Sequence, residues 1–231
     1  MENKYWENAE QFKEKLIYSI KQIFKVYGNE LELKIEDLNL LERDDNCIET
    51  STAIGYCMEE FIVSKLITYT KTNNTSDLIV ERENLIFGTQ NSSYDFLSHF
   101  QGELFLINIK ANKGNNNAIA AIQQLHKDYV INNPETIKHY MVLKINYDIV
   151  KNDIGKKVIS ILGIESFFLE EIDFSKGHKQ DNRNWSKNFN ANSGRLQISK
   201  KSLDNKINAI NISYENTKLF IDNIYQLNKK I

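Results

Sequence analysis

The stretch SSYDFLSHFQGELFLINIKANKG (Ser92–Gly114) sets an acidic residue, Asp95, ahead of a nearly continuous apolar run, and that run ends in Asn108-Ile109-Lys110. ELFLINIKA reads as a central strand covered on both faces, since a strand with one wet face alternates. SYDFLSHF alternates moderately and reads as a neighbouring strand. A lysine at the end of a buried strand has two readings. It can snorkel to water from the sheet end, or it can join Asp95 and Asn108 in holding a metal ion and a phosphate. Strand alternation puts Asn108 and Lys110 on one face, one pleat apart, and Glu103 on the other. Twelve residues separate Asp95 from Asn108, enough for a turn and a return strand. The Asp95 carboxylate can therefore approach the same sheet end.

A carboxylate, a second oxygen ligand and a lysine suit metal-assisted phosphodiester hydrolysis. Asp95 would bind a hard divalent cation, Mg²⁺, with the Asn108 side-chain oxygen and the Ile109 carbonyl as further ligands. Mg²⁺ takes few protein ligands and keeps several waters. Lys110 would orient the attacking water or stabilise developing negative charge.

Residues 7–27 place Phe12, Leu16, Ile20, Ile23 and Phe24 at helical spacing, and 31–42 form a shorter amphipathic piece. Thr50-Ser51-Thr52 offers caps for a helix through AIGYCMEEFIVSKLITYT, with Ile54, Met58, Phe61 and Ile62 as its core stripe. Glu59 lies on the flank of that stripe, and Glu60 points more nearly outward. DLIVER and NLIFGT read as a hairpin or one interrupted strand, and AIAAIQQLHKDYVIN as a helix stopped near Pro134, the only proline. KHYMVLKINYDIV and KKVISILGIESFFLEEID resume the strand pattern, and a last helix runs over SYENTKLFIDNIYQLNKK. Strands enclosed by helices predict an α/β or α+β sandwich with a mixed sheet.

Asp95 followed by Asn108-x-Lys110 resembles the PD-(D/E)xK motif of nucleases, type II restriction endonucleases among them. The resemblance implies a restriction-endonuclease-like fold: a mixed central sheet flanked by helices, with a catalytic core over about residues 50–150 of a single 1–231 domain. The helix before the motif supplies another glutamate in that family, and GYCMEEFIV matches it in order and character, which makes Glu59 the candidate and Glu60 the second. The helix after the motif makes Gln123 or Gln124 candidates for holding DNA or a water. Tyr94 stands where the family has proline, and Asn108 where it has an acidic residue. Asparagine is a neutral and poorer Mg²⁺ ligand, so Glu59 would supply the missing charge. Implied with the fold are Mg²⁺, double-stranded DNA as substrate, a homodimer matching its two-fold symmetry and a companion methyltransferase in the cell; a cytoplasmic location is expected from the polar, acidic start and the lack of a spanning apolar run. A DNA-repair or junction-resolving nuclease could use the same core. A DNA-binding protein with a decayed site is the third reading, given Asn108.

Net charge is −2 overall but unevenly spread. Residues 1–60 carry 7 basic and 14 acidic side chains, whereas 176–202 carry 7 basic and one acidic. A local basic stretch serves a polyanion regardless of the total. Within it, Arg183, Lys187, Asn188, Arg195, Gln197 and Lys200 stand among the aromatic rings of Trp185 and Phe189. Lys and Arg suit phosphates, Arg suits guanine edges, and Asn or Gln suits adenine edges. The alternative is a long surface loop pinned by Trp185.

Cys47 and Cys57 have no CxxC or other metal-ligand spacing, which argues against a disulfide framework or zinc site. His99, His126, His139 and His178 are scattered and read as surface or satisfied histidines. No apolar run nears the roughly 20 residues that span a bilayer, and the polar, acidic start is unlike a signal peptide.

Overall fold

The computed structural model describes residues 3–32, 51–73, 78–82, 92–113, 118–174, 195–198 and 203–229. Helix α1 (Lys4–Tyr27) starts where the Asn3 side chain accepts the Trp6 N–H, and it stops at Gly28, whose φ of 84° suits glycine. Its buried stripe is Phe12, Leu16, Ile20, Ile23 and Phe24, as the periodicity predicts. Helix α2 (Ser51–Thr72) buries Ile54, Met58 and Ile62 beside it.

One sheet organises the molecule. Its strands are β1 (Glu30–Leu31), β2 (Ile79–Glu81), β3 (Phe96–Phe100), β4 (Glu103–Asn112), β6 (Lys138–Lys151) and β7 (Lys157–Phe168), in the order β1-β7-β6-β4-β3-β2. The β4–β6 pair is parallel and the others antiparallel, so the sheet is mixed. Between β3 and β4 the chain turns on two left-handed residues, Gln101 (φ 50°) and Gly102 (φ 82°). Two-residue turns of that hand match the twist of the strands they join.

β4 is apolar on both faces because both are covered. Phe105, Ile107 and Ile109 pack with the stripes of α1 and α2. Leu104 and Leu106 face the other way, into a core shared with the C-terminal helix α4 (Tyr214–Lys229) through Ile221 and Ile224.

The crossover from β4 to β6 departs from the sequence expectation. Residues 118–131 are not one helix. Ala118–Ala121 form strand β5, paired with β8 (Arg195–Gln197), and only Ile122–His126 are α-helical (α3). Lys127–Ile131 continue as a π turn. Alanine favours helix locally, but a partner strand some 75 residues on overrides that preference.

Most of the 31–42 piece and all of NLIFGT lie outside the described residues. No helix among the described residues is long and apolar enough to cross a membrane.

Candidate active site

The β3–β4 register pairs Phe96 with Ile107, and the Asp95 N–H donates to the Ile107 carbonyl at 2.8 Å. Continued by one residue, that register sets Asp95 opposite Asn108. Asp95, Asn108 and Lys110 thus share one face at the C-terminal end of β4. Asp95 is buried, and its Oδ2 accepts the Ile109 N–H at 2.6 Å. Burial pushes its carboxyl above the ordinary value, while the Lys110 charge, the Ile109 N–H and Arg82 oppose that rise. Lys110 is partly exposed, at the point where β4 emerges from the core.

Glu59 reaches the same place from α2. Burial raises its pKa to about 7, the Asp95 charge adds to the rise, and Lys110 acts against it. Glu60, one residue on, accepts a two-pronged ion pair from Arg82 of the segment after β2, one contact being 2.6 Å, and its charge adds to the rise at Asp95. The Glu60 side chain is 58% exposed and that of Arg82 only 14%. Of the two glutamates considered from sequence, Glu59 is the one whose charge interacts with Lys110 as well as Asp95.

Asn108 is 5% exposed, and its amide orientation is fixed by its surroundings. Nδ2 donates to the Ser93 carbonyl at 2.6 Å, to Tyr140 Oη at 3.0 Å and to the Ile119 carbonyl at 3.2 Å. A carbonyl can only accept, so the NH₂ group must face this side. Oδ1, at the other end of the amide group, is buried with no hydrogen-bond partner. A buried acceptor left unpaired costs about 1–3 kcal/mol, and an ion is one group that would satisfy it.

These residues fit a magnesium ion. Asp95 would supply a carboxylate, Asn108 Oδ1 an oxygen with no hydrogen-bond partner, the Ile109 carbonyl a third donor and Glu59 a second carboxylate at the margin. Among the described residues no three His, Cys, Asp or Glu side chains gather as a metal shell.

Sequence reasoning missed four contributors. Arg82 sits beside the acidic pair, raising no signal in a run of strand-like residues. Ser93 and Tyr140 hold the Asn108 amide through long-range contacts that no local pattern encodes. Lys144 pairs in register with Lys110 on the adjoining parallel strand, buried with its Nζ 5.4 Å from the Phe167 ring.

Other predicted residues lie apart. Glu103 faces α1, as alternation requires: it accepts from Asn8 Nδ2 at 3.1 Å and meets His139 Nε2 at 2.9 Å, with the His139 ring stacked between Tyr5 and Phe105. Gln123 and Gln124 line an open polar cleft of about 630 Å³ with Lys127 and Asp222. His126 in that cleft bonds Asp222 at 2.9 Å and stacks on Tyr225.

Of the basic segment, Arg195 is exposed on β8, opposite Ala121 at the start of α3, and Gln197 pairs with Ala118. Arg183, Lys187, Asn188 and Lys200 lie outside the described residues, as do Trp185, Phe189 and Cys47. No known family model matches this chain, and no curated protein matches it significantly.

Proposed function

We propose that this protein is a Mg²⁺-dependent endonuclease of the PD-(D/E)xK type that hydrolyses phosphodiester bonds of double-stranded DNA, most specifically a type II restriction endonuclease. The observation that supports the reading is the β3–β4 register that sets Asp95 beside Asn108 and on one face with Lys110, with the Glu59 charge interacting with Asp95 and Lys110 and Asn108 Oδ1 left without a partner. The mixed sheet with helices on both faces is compatible with the fold of that superfamily.

Asp95, Asn108 Oδ1, the Ile109 carbonyl and Glu59 would hold the cation. Mg²⁺ supplies Lewis acidity at a phosphoryl oxygen. Asp95 is held in place by the Ile109 N–H, so its free oxygen is aimed before any ion arrives. Lys110 brings positive charge to the side of the site where negative charge grows on the phosphate, and a fixed charge in a partly dry site acts strongly. Glu59, raised to about 7, gives up its proton when a cation enters. Arg195 on β8 serves the phosphate backbone or a base edge, since β5, its partner strand, offers Ile119 to Asn108. Duplex DNA has two strands related by a two-fold axis, so a homodimer would bring one site to each.

The test is incubation of the purified protein with plasmid DNA, with and without Mg²⁺, followed by mapping of the ends. Discrete fragments sharing one sequence at every cut are expected. Cleavage of branched but not linear duplex would move the reading to a junction-resolving or repair nuclease. DNA bound but intact under Mg²⁺ and Mn²⁺ alike would mark a binding protein.

A further inference from the structure

We propose that Asp128 is a positioning residue of this site: through Ser93 it sets both the orientation of the Asn108 amide and the approach of Asp95. The proposal rests on the metal-site reading of Asp95 and Asn108 given above.

Asp128 is 5% exposed and sits on the π turn Lys127–Ile131. Such i→i+5 turns are rare and concentrate at functional sites. Asp128 Oδ2 accepts the Ser93 N–H at 2.6 Å, and Oδ1 accepts from Asn132 Nδ2 at 3.3 Å. A charge-assisted bond of that length holds a loop firmly. Ser93 lies three residues before β3 and is buried, and its carbonyl accepts from two side chains. Fixing its peptide has two consequences.

The first concerns Asn108. The Ser93 carbonyl accepts from Asn108 Nδ2 at 2.6 Å and also from the Tyr140 hydroxyl, which in turn accepts from Asn108 Nδ2 at 3.0 Å. These contacts close a ring of three groups, and the ring leaves Oδ1 as the free end of the amide. Loss of the anchor would let the Ser93 carbonyl drift and the amide rotate. The second concerns Asp95, two residues further on. Its backbone enters the ladder to Ile107, and its carboxylate reaches Ile109, only if the lead-in from Ser93 runs along this path. Asp128 touches neither ligand and acts on both through Ser93. Removing a group that supports a metal ligand typically costs about 10–100-fold in metal affinity.

The experiment uses the full chain without DNA and reads Mn²⁺ affinity by calorimetry, alongside the Asn108 side-chain NH₂ signal in ¹⁵N spectra and the thermal midpoint. Asp128→Ala is expected to weaken Mn²⁺ by about 10–100-fold in a protein that still melts cooperatively, and to speed proton exchange of the Asn108 amide. Asp128→Asn, which can still accept the Ser93 N–H, should rescue much of both. Tyr140→Phe removes a second member of the ring with little change of volume, and weaker Mn²⁺ with a shifted Asn108 signal is expected there too. It serves as the deciding variant if Asp128→Ala does not fold. Unchanged Mn²⁺ affinity and an unchanged Asn108 signal in the folded variants would overturn the proposal. Wild-type protein that ignores Mn²⁺ while the Asn108 signal still responds to Asp128→Ala would remove the metal reading itself, and the proposal with it.

Discussion

Two amide protons on Asn108 face three acceptors, two of them carbonyls. An aspartate there would turn a carboxylate oxygen toward the same two carbonyls with no proton to share. Restoring the acidic residue of the nuclease motif is thus expected to harm this protein. Asn108→Asp should lower stability by at least about 1–3 kcal/mol, the usual cost of leaving buried polar groups unpaired, and should not raise metal affinity. A melt and a Mn²⁺ titration check both, and a tighter-binding variant of normal stability would refute the amide orientation. Lys110→Ala should slow cleavage by about 10²–10³-fold, the scale of losing one preorganised stabiliser of transition-state charge, with duplex affinity nearly intact in a mobility-shift assay. At this scale the sequence was informative about Asp95, Asn108 and Lys110, because alternation and spacing are local. It was silent about why position 108 is an amide, since Ser93, Tyr140 and Ile119 reach it from three separate parts of the chain.

Helix α2 has one orientation that serves the site, and the choice between adjacent glutamates follows from it. Glu59 turns toward Asp95, and Glu60 toward Arg82 at the end of β2. Glu59→Gln should cut the cleavage rate by about 10–100-fold, the scale of weakening a metal site at its margin. Glu60→Ala should leave the rate near wild type and cost under about 1 kcal/mol, because its side chain is largely exposed and solvent screens the pair. Rates and melts of the two variants side by side give the answer, and the reverse ranking would place Glu60 in the site.

Helical periodicity made α1 and α2 legible from their apolar stripes alone. The same method failed at 118–131, where an alanine-rich stretch pairs as β5 with a distant strand and the helix after it opens into a π turn. That failure hid Asp128. On α-helical spacing it reads as a solvated flank residue beside Tyr129.

Across the whole molecule, buried acids tie the elements together and give the fold a pH dependence. Glu170 is fully buried, its Oε1 accepting from the Tyr129 hydroxyl at 2.6 Å and the Tyr140 N–H at 2.9 Å, while Oε2 has no partner. Burial raises its pKa from 4.5 to about 7. The folded state therefore holds this proton more tightly than the unfolded chain. Its contribution is complete below the unfolded value and fades as pH rises through about 7. Glu59 adds to the same trend in the metal-free protein. The thermal midpoint should fall between roughly pH 5 and 8, by up to about 3 kcal/mol of stability from Glu170. Glu170→Gln should flatten that slope, and a midpoint that rises with pH in wild type would contradict the assignment. The mixed sheet with helices on both faces was legible from strand and helix order, whereas β4–β6 parallel pairing and the β5–β8 ribbon depend on contacts too distant in sequence for periodicity to reveal.

The most direct measurement is cleavage of supercoiled plasmid by wild type, Asp95→Ala and Lys110→Ala, each with and without Mg²⁺. Linear product is predicted from wild type with Mg²⁺ alone, with both variants folded and able to bind the duplex, Asp95→Ala unable to cut it and Lys110→Ala slowed by about 10²–10³-fold. Cutting that proceeds without a divalent ion, or at full rate in folded Asp95→Ala, would contradict the account.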